Sequence, residues 1–170
     1  MAVSKHPLLS IRTLTQVLLV LGFDQISKVA ARSLLSSDQP VRLLGGLLNF
    51  PLSRNSGSFL GLGSNLSSVM KFIVFSIGGW ILIGLCLFFL VRRKYLSNKM
   101  LIALPLIMGG ALSNQIDRML FHGLVTDFLF LSLGPVHTGI FNLADMAIMA
   151  GAGLMLMESW QRPGHEVSKC

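Results

Sequence analysis

FIVFSIGGWILIGLCLFFLV, residues 72–91, contains no charged side chain, and Arg92, Arg93 and Lys94 end it abruptly. At about 1.5 Å of rise per residue, a helix of this length crosses a hydrocarbon core of about 30 Å. The stretch therefore reads as a transmembrane helix, and three further apolar segments lie on either side of it. One runs from Ile11 to Ala31, one from Met100 into the polar group Gly109, Gly110, Asn114 and Asp117, and one from Gly139 to Trp160. The fold class is accordingly all-α integral membrane, with four transmembrane helices over about 11–31, 69–91, 100–120 and 139–160.

Composition agrees with this reading. Of 170 residues, 52% are hydrophobic and 12% are charged, with a mean hydropathy of +0.70. A water-soluble domain cannot hide that much apolar surface. Four spans leave room for one domain, taken as residues 1–170. The run from Leu14 to Phe23, after Lys5 and Arg12, has the look of a cleaved signal peptide's apolar region. Against that, Asp24 and Lys28 follow it, and Ile26, Val29 and Ala30 continue its helical character, so a retained helix is expected.

Fourteen Lys and Arg against seven Asp and Glu give a net charge of +7. In a soluble chain that excess would point to nucleic acid, but here the basic residues flank apolar spans. They are read as topology signals and as contacts to anionic headgroups, with no nucleic-acid partner. Lys5, Arg12, Arg92, Arg93, Lys94, Lys99, Arg162 and Lys169 fall on one face of a four-span layout. That face is expected to be cytoplasmic, with both termini on it. Segments 33–68 and 121–138 then lie outside. Val41 to Leu52, interrupted by Gly45–Gly46, suggests short strands with a bend, which fits a small extracytoplasmic sheet resting on the bilayer.

A charge inside a membrane span is costly, so Asp145 in FNLADMAIMAG needs an explanation. Asn142 precedes it by three positions and would share its helical face. On Asp145 alone, a helix–helix hydrogen bond and a functional role are equally open. A second acidic constellation, GGALSNQIDRMLFHGLVTDF, shifts the balance. Asn114, Asp117 and Arg118 share a helix end, and Gly123 lets the chain turn before Asp127. Two carboxylates placed close together cannot both ionise readily, which is the basis of aspartic-protease chemistry.

Other chemistries are poorly supplied. His6, His122, His137 and His165 show no HExxH spacing, Cys86 and Cys170 no metal-ligand spacing, and no GxSxG elbow occurs. Met146, Met149, Met155 and Met157 read as lipid-facing or packing surface, and Gly109, Gly110, Gly151 and Gly153 as sites of close helix approach.

In order along the chain, DQISK (24–28), RNSGSFLG (54–61), GGALSNQIDRMLFHGLVTDF (109–128) and FNLADMAIMAG (141–151) resemble the bacterial lipoprotein signal peptidases, or signal peptidase II. The resemblance implies four transmembrane helices with a small extracytoplasmic β-cradle, and an aspartic endopeptidase that hydrolyses the peptide bond just before a diacylglyceryl-modified cysteine of a prolipoprotein. Asp127 and Asp145 match the catalytic pair. Asn55, Gly57, Asn114, Asp117, Arg118 and Asn142, with Asp24 and Lys28, match supporting positions. No metal or other cofactor is implied. The partners expected are the lipid-modified prolipoprotein and membrane lipids of the bacterial cytoplasmic membrane, around a monomer.

Two departures stand out. Ser113 precedes Asn114 where that family usually has Gly, and Ser58-Phe59-Leu60 stands where Ala-Ala-Phe is typical. The rival reading is a small membrane transporter or channel subunit that uses the same aspartates for protons or cations. A third is a purely structural or assembly membrane protein.

Overall fold

The computed structural model describes residues 9–57, 63, 65–92 and 96–161. Ser58-Phe59-Leu60 lies outside them, as do Lys5, Arg93, Lys94, Arg162 and Lys169 of the proposed cytoplasmic set.

Helix α1 (Ile11–Leu34) starts where Ser10 accepts from the Thr13 N–H, capping one of the helix's free donors. It extends three residues beyond the Ala31 end expected from sequence, and Leu35 closes it with a backbone bond to Ala31. The most apolar segment is one continuous rod of three parts: α2 (Ser68–Lys71), a π-helical stretch (Phe72–Ile77) and α3 (Gly78–Val91). Central to the molecule is α4 (Met100–Leu120), which packs against α1, α3 and the last helix, α5 (Leu143–Gln161). Ile11–Leu34, Ser68–Val91 and Met100–Leu120 are long and apolar enough to cross a membrane.

The outward faces of these rods are apolar. Phe23 and Ile26 on α1 and Ile81, Leu85 and Phe88 on α3 are exposed. A continuous apolar surface of this kind marks contact with lipid or a partner when it occurs on a folded chain. The interior of the bundle holds Val17, Ile83, Cys86, Leu90, Leu104 and Ile107.

Three of the four anticipated glycine contacts are tight, and a Cβ on Gly109 would lie 2.9 Å from Val20 Cβ and 3.0 Å from the Val17 carbonyl oxygen on α1. A Cβ on Gly110 would lie 2.5 Å from the Ala144 carbonyl oxygen, and one on Gly151 would lie 2.7 Å from that of Ala103. Together they let α4 and α5 approach along their length. Gly153 differs from the expectation, since nothing lies within 4 Å of its added Cβ. Two residues past Gly151, and so about 200° around the helix, it no longer faces α4.

The β-cradle draws on both segments between the helices. β1 (Val41–Leu43), β2 (Leu48–Phe50), β5 (Phe130–Leu133) and β6 (Val136–His137) form one antiparallel sheet in the order β1-β2-β5-β6. β3 (Ser53–Asn55) pairs separately with β4 (Val125–Asp127). The expected bend at Gly45–Gly46 is present, with φ of 67° and 92° that glycine adopts without strain. A second correction concerns α5, which begins at Leu143 and not near Gly139. Phe141 is extended instead, exchanging backbone bonds with Leu129.

Candidate active site

Asp127 is the last residue of β4 and Asp145 lies in the first turn of α5. α4 delivers the chain toward β4 through a reversal at His122 and Gly123, both with positive φ, where the Gly123 N–H bonds back to the Arg118 carbonyl. β4 then runs beside β3, in the register Ser53 with Asp127 and Asn55 with Val125. This pair of strands carries Asp127 over the end of the bundle. Arg32 and Arg54 help fix it there, both stacking on Phe121 at 4.9 and 4.4 Å, while Arg32 also donates to Thr126 Oγ1 at 3.0 Å.

Both carboxylates open onto one cavity of about 440 Å³, lined also by Asn55, Gly57, Asn114 and Arg118. Asn55 donates to Asp127 Oδ2 at 2.7 Å, and its own oxygen accepts the Gly57 N–H at 2.8 Å, which fixes the amide's orientation. Asn142 donates to Asp127 Oδ1 at 2.6 Å. Asn114 donates to Asp145 Oδ1 at 2.9 Å and accepts from Asn142 at 3.3 Å. The two acids are therefore bridged by two asparagines. Arg118 donates to the Gly57 carbonyl at 2.8 Å and to the Asn114 carbonyl at 3.4 Å, and its Nε is buried with no acceptor.

Asn142 does not share a helical face with Asp145 as the i, i+3 spacing implied. It precedes α5, and its side-chain oxygen accepts the Asp145 N–H at 2.9 Å while Asp145 Oδ2 accepts the Asn142 N–H at 3.3 Å. This is a reciprocal helix cap, with an acid near the positive end of the helix dipole. The proximity read from sequence holds, but its cause is capping.

Behind the cavity wall, Asp24, Lys28, Asp117 and Asn142 are fully buried. Lys28 Nζ lies 2.7 Å from Asp24 Oδ2, 2.8 Å from Asn114 Oδ1 and 3.6 Å from Asp117 Oδ2. Asp24 Oδ1 accepts the Ala144 N–H at 2.8 Å, and Asp117 Oδ2 accepts the Thr126 N–H at 2.8 Å. Asp117 thus serves β4 and α1 and does not open onto the cavity. A buried charge is tolerated only when paired and hydrogen-bonded, and Asp24, Lys28 and Asp117 each are.

Sequence reasoning missed Gln25, Thr126 and Gln115. Gln25 donates to Ser113 and Asp117, Thr126 is fully buried between Asp117 and Arg32, and Gln115 reaches the Phe75 carbonyl at 2.7 Å. Phe75 sits in the π-helical stretch, a geometry that recurs beside functional sites. The available signal was polarity inside an apolar helix, which marks Gln25 and Gln115 but names no partner.

Asp127 has its carboxyl pushed up from the ordinary 3.8 to about 7. Burial is the main cause, followed by the charge of Asp145; hydrogen bonds from Asn55 and Asn142 and the Lys28 cation act in the opposite sense.

A mostly helical bundle with membrane-length rods, roofed by short strands over a chamber that two carboxylates share, matches the fold of a membrane enzyme. A solved bacterial membrane enzyme shares the fold with a TM-score of 0.78 and 26% identity, covering 94% of this chain and 93% of that one. The chain belongs to the signal peptidase II family, whose model, described as Signal peptidase (SPase) II, matches residues 16–161. It is similar to the lipoprotein signal peptidase of Burkholderia vietnamiensis (strain G4 / LMG 22486), 36% identical over 145 residues and 85% of each chain. The lipoprotein signal peptidase of Coxiella burnetii (strain RSA 493 / Nine Mile phase I) is 36% identical over 148 residues, 85% of this chain and 87% of that one.

Proposed function

We propose that this chain is an aspartic endopeptidase of the bacterial cytoplasmic membrane that cuts diacylglyceryl-modified prolipoproteins just before the lipidated cysteine, releasing the signal peptide. The observation that carries this reading is the meeting of Asp127 and Asp145 on one cavity, each held by asparagine donors. With Asp127 titrating at about 7, one carboxyl holds a proton near neutral pH while the other is ionised. The ionised acid takes a proton from water as that water's oxygen attacks the scissile carbonyl. The protonated acid supplies its proton to the carbonyl oxygen. Collapse of the tetrahedral intermediate then breaks the C–N bond, and a proton passes to the leaving amine. Arg118 and Asn55, which line the same cavity, hold the peptide backbone in this reading.

Substrate lipid supplies much of the binding in this scheme. Each acyl CH₂ kept in the bilayer contributes about 0.8 kcal/mol, so few side chains around the scissile bond need be recognised. The apolar side of the cavity, with Val74, Leu82, Ile148 and Met149, is continuous with the rods and suits such a substrate.

In this reading the whole chain is one domain with four membrane spans, α5 being the fourth, and it acts as a monomer. Both termini and the α3–α4 turn face the cytoplasm. A single cysteine at Asn98 should then resist an impermeant maleimide in intact cells while one at Asp38 is labelled, after Cys86 and Cys170 are replaced. The reverse pattern inverts the topology.

The deciding experiment is incubation of the purified protein with a diacylglyceryl-modified precursor, followed by the mass of the product. Cleavage at any other bond overturns the substrate assignment. Ion flux in liposomes without cleavage would favour the transporter reading, against which family membership weighs.

A further inference from the structure

Ser113, on α4 immediately before Asn114, is fully buried and does not line the cavity. Its hydroxyl donates to Asp24 Oδ2 at 2.7 Å and accepts from Gln25 Nε2 at 2.9 Å. The same Asp24 oxygen takes Lys28 Nζ at 2.7 Å, and the other takes the Ala144 N–H at 2.8 Å. One carboxylate thereby ties α1, α4 and the start of α5 together.

Lys28 has two near acceptors of unequal strength: the ionised Asp24 and the neutral amide oxygen of Asn114, at 2.7 and 2.8 Å. Coulomb attraction favours the carboxylate, and more so in a dry interior. Each hydrogen bond that Asp24 receives from elsewhere spreads its charge and weakens its pull on the ammonium. Asn114 depends on the outcome. With its oxygen on Lys28 and Asn142, its NH₂ is left to face Asp145; turned over, it would set an oxygen against that carboxylate.

We propose that Ser113 is a positioning residue for the peptidase reaction: through Asp24 and Lys28, its hydroxyl fixes the orientation in which Asn114 donates to Asp145. This rests on the function proposed above. Removing the CH₂OH group entirely opens room for a water with polar partners on Asp24 and Gln25, whereas an alanine methyl keeps water out and offers no donor.

The test compares Ser113→Ala with Ser113→Gly, measuring precursor cleavage and thermal unfolding on the same preparations. Ser113→Ala should lower kcat by about tenfold with KM unchanged, the loss of one hydrogen bond to a charged group. Ser113→Gly should recover most of that loss while being the less stable of the two, because glycine in a helix interior is costly. A role in packing alone predicts the opposite activity order, with kcat following stability. A wild-type kcat for Ser113→Ala, or glycine less active than alanine, overturns the proposal. The side-chain amide resonances of Asn114, assigned by their loss in Asn114→Ala, supply a readout that needs no substrate. They should shift and lose protection from exchange in Ser113→Ala and stay near wild type in Ser113→Gly. Unchanged resonances in Ser113→Ala refute the positioning role even if the precursor is not cleaved, a result that would refute the function separately.

Discussion

Replacing Asp127 by Asn should abolish cleavage and yet stabilise the protein, by an amount that grows with pH. Asp127 is 1% exposed and its carboxyl titrates at about 7 in place of 3.8. A raised carboxyl pKa means that the folded state binds a proton the unfolded state has already lost between those two values. The contribution of Asp127 to stability is therefore greatest below about pH 4 and is lost as pH rises through about 7. At about 1.36 kcal/mol per pH unit, the interval from 3.8 to about 7 amounts to roughly 4 kcal/mol, an upper bound for what ionising Asp127 costs the fold. Asparagine is neutral at every pH and close to the protonated acid in shape, so it escapes that cost.

Thermal unfolding in detergent across pH 4–8 measures this directly. The two proteins should melt together near pH 4, and Asp127→Asn should lie several degrees higher at pH 8, the scale expected for a few kcal/mol in a chain of this size. The precursor should remain uncut at every pH. A gap in Tm that does not change with pH, or a variant less stable than wild type at pH 8, would refute the claim that burial and Asp145 set the titration of Asp127. Substantial cleavage by the variant would remove Asp127 from the catalytic pair.

Asp145→Asn should also stop cleavage in a protein that stays folded, and the double variant should be hardly less active than either single one, because a pair acting as a unit is lost once; parallel loss of folding and activity would mark a scaffold acid instead. Asn114→Ala and Asn142→Ala should each reduce turnover without abolishing it, by about 1–3 kcal/mol in barrier, and Asn142→Ala should also lose about 1 kcal/mol of stability with the α5 cap; wild-type cleavage rates would contradict both. Lys28→Ala should destabilise by roughly 3–5 kcal/mol, since it strands Asp24 in the interior, and a soluble, wild-type melting curve for it would show that the ion pair carries no weight. Gly110→Val should lower Tm through its clash with the Ala144 carbonyl, whereas Gly153→Val should not, and equal effects would deny the close approach of α4 and α5.

The helical segments were legible because hydropathy and run length are local properties, and their ends moved by only a few residues. Strand pairing was less so. Val41 to Leu52 announced strands through composition and Gly45–Gly46, but its partner across the sheet is β5, joined through pairs such as Leu48 with Leu131. No local pattern declares such a contact. The same distinction divides the site. Asn142 and Asp145 are close in sequence, so their proximity could be read, even though capping and not a shared helix face produces it. Asp24 and Lys28 were marked only as polar residues after an apolar run and as positions matching the resembling family; their ion pair and its bonds to Ala144 and Asn114 required the fold. Ser113 was noticed as a departure beside the site, and its hydroxyl's partner on α1 required the fold.

Charge balance ties these observations into one argument. The buried acids of the chamber and its wall are Asp24, Asp117, Asp127 and Asp145; the cations that touch them or line the cavity are Lys28, Arg118 and Arg32. With every acid ionised, the cluster carries one uncompensated negative charge among buried groups, which is costly. Asp24 is closed off by Lys28, Ser113 and Ala144, and Asp117 by Lys28, Arg32 and Thr126. Asp127 and Asp145 instead receive most of their hydrogen bonds from neutral asparagines. A proton is accordingly cheapest to place on this pair, and a single proton there makes the whole cluster neutral. The protonation state that the proposed mechanism requires, one acid activating water while the other donates, is thus the state that the surrounding charges favour.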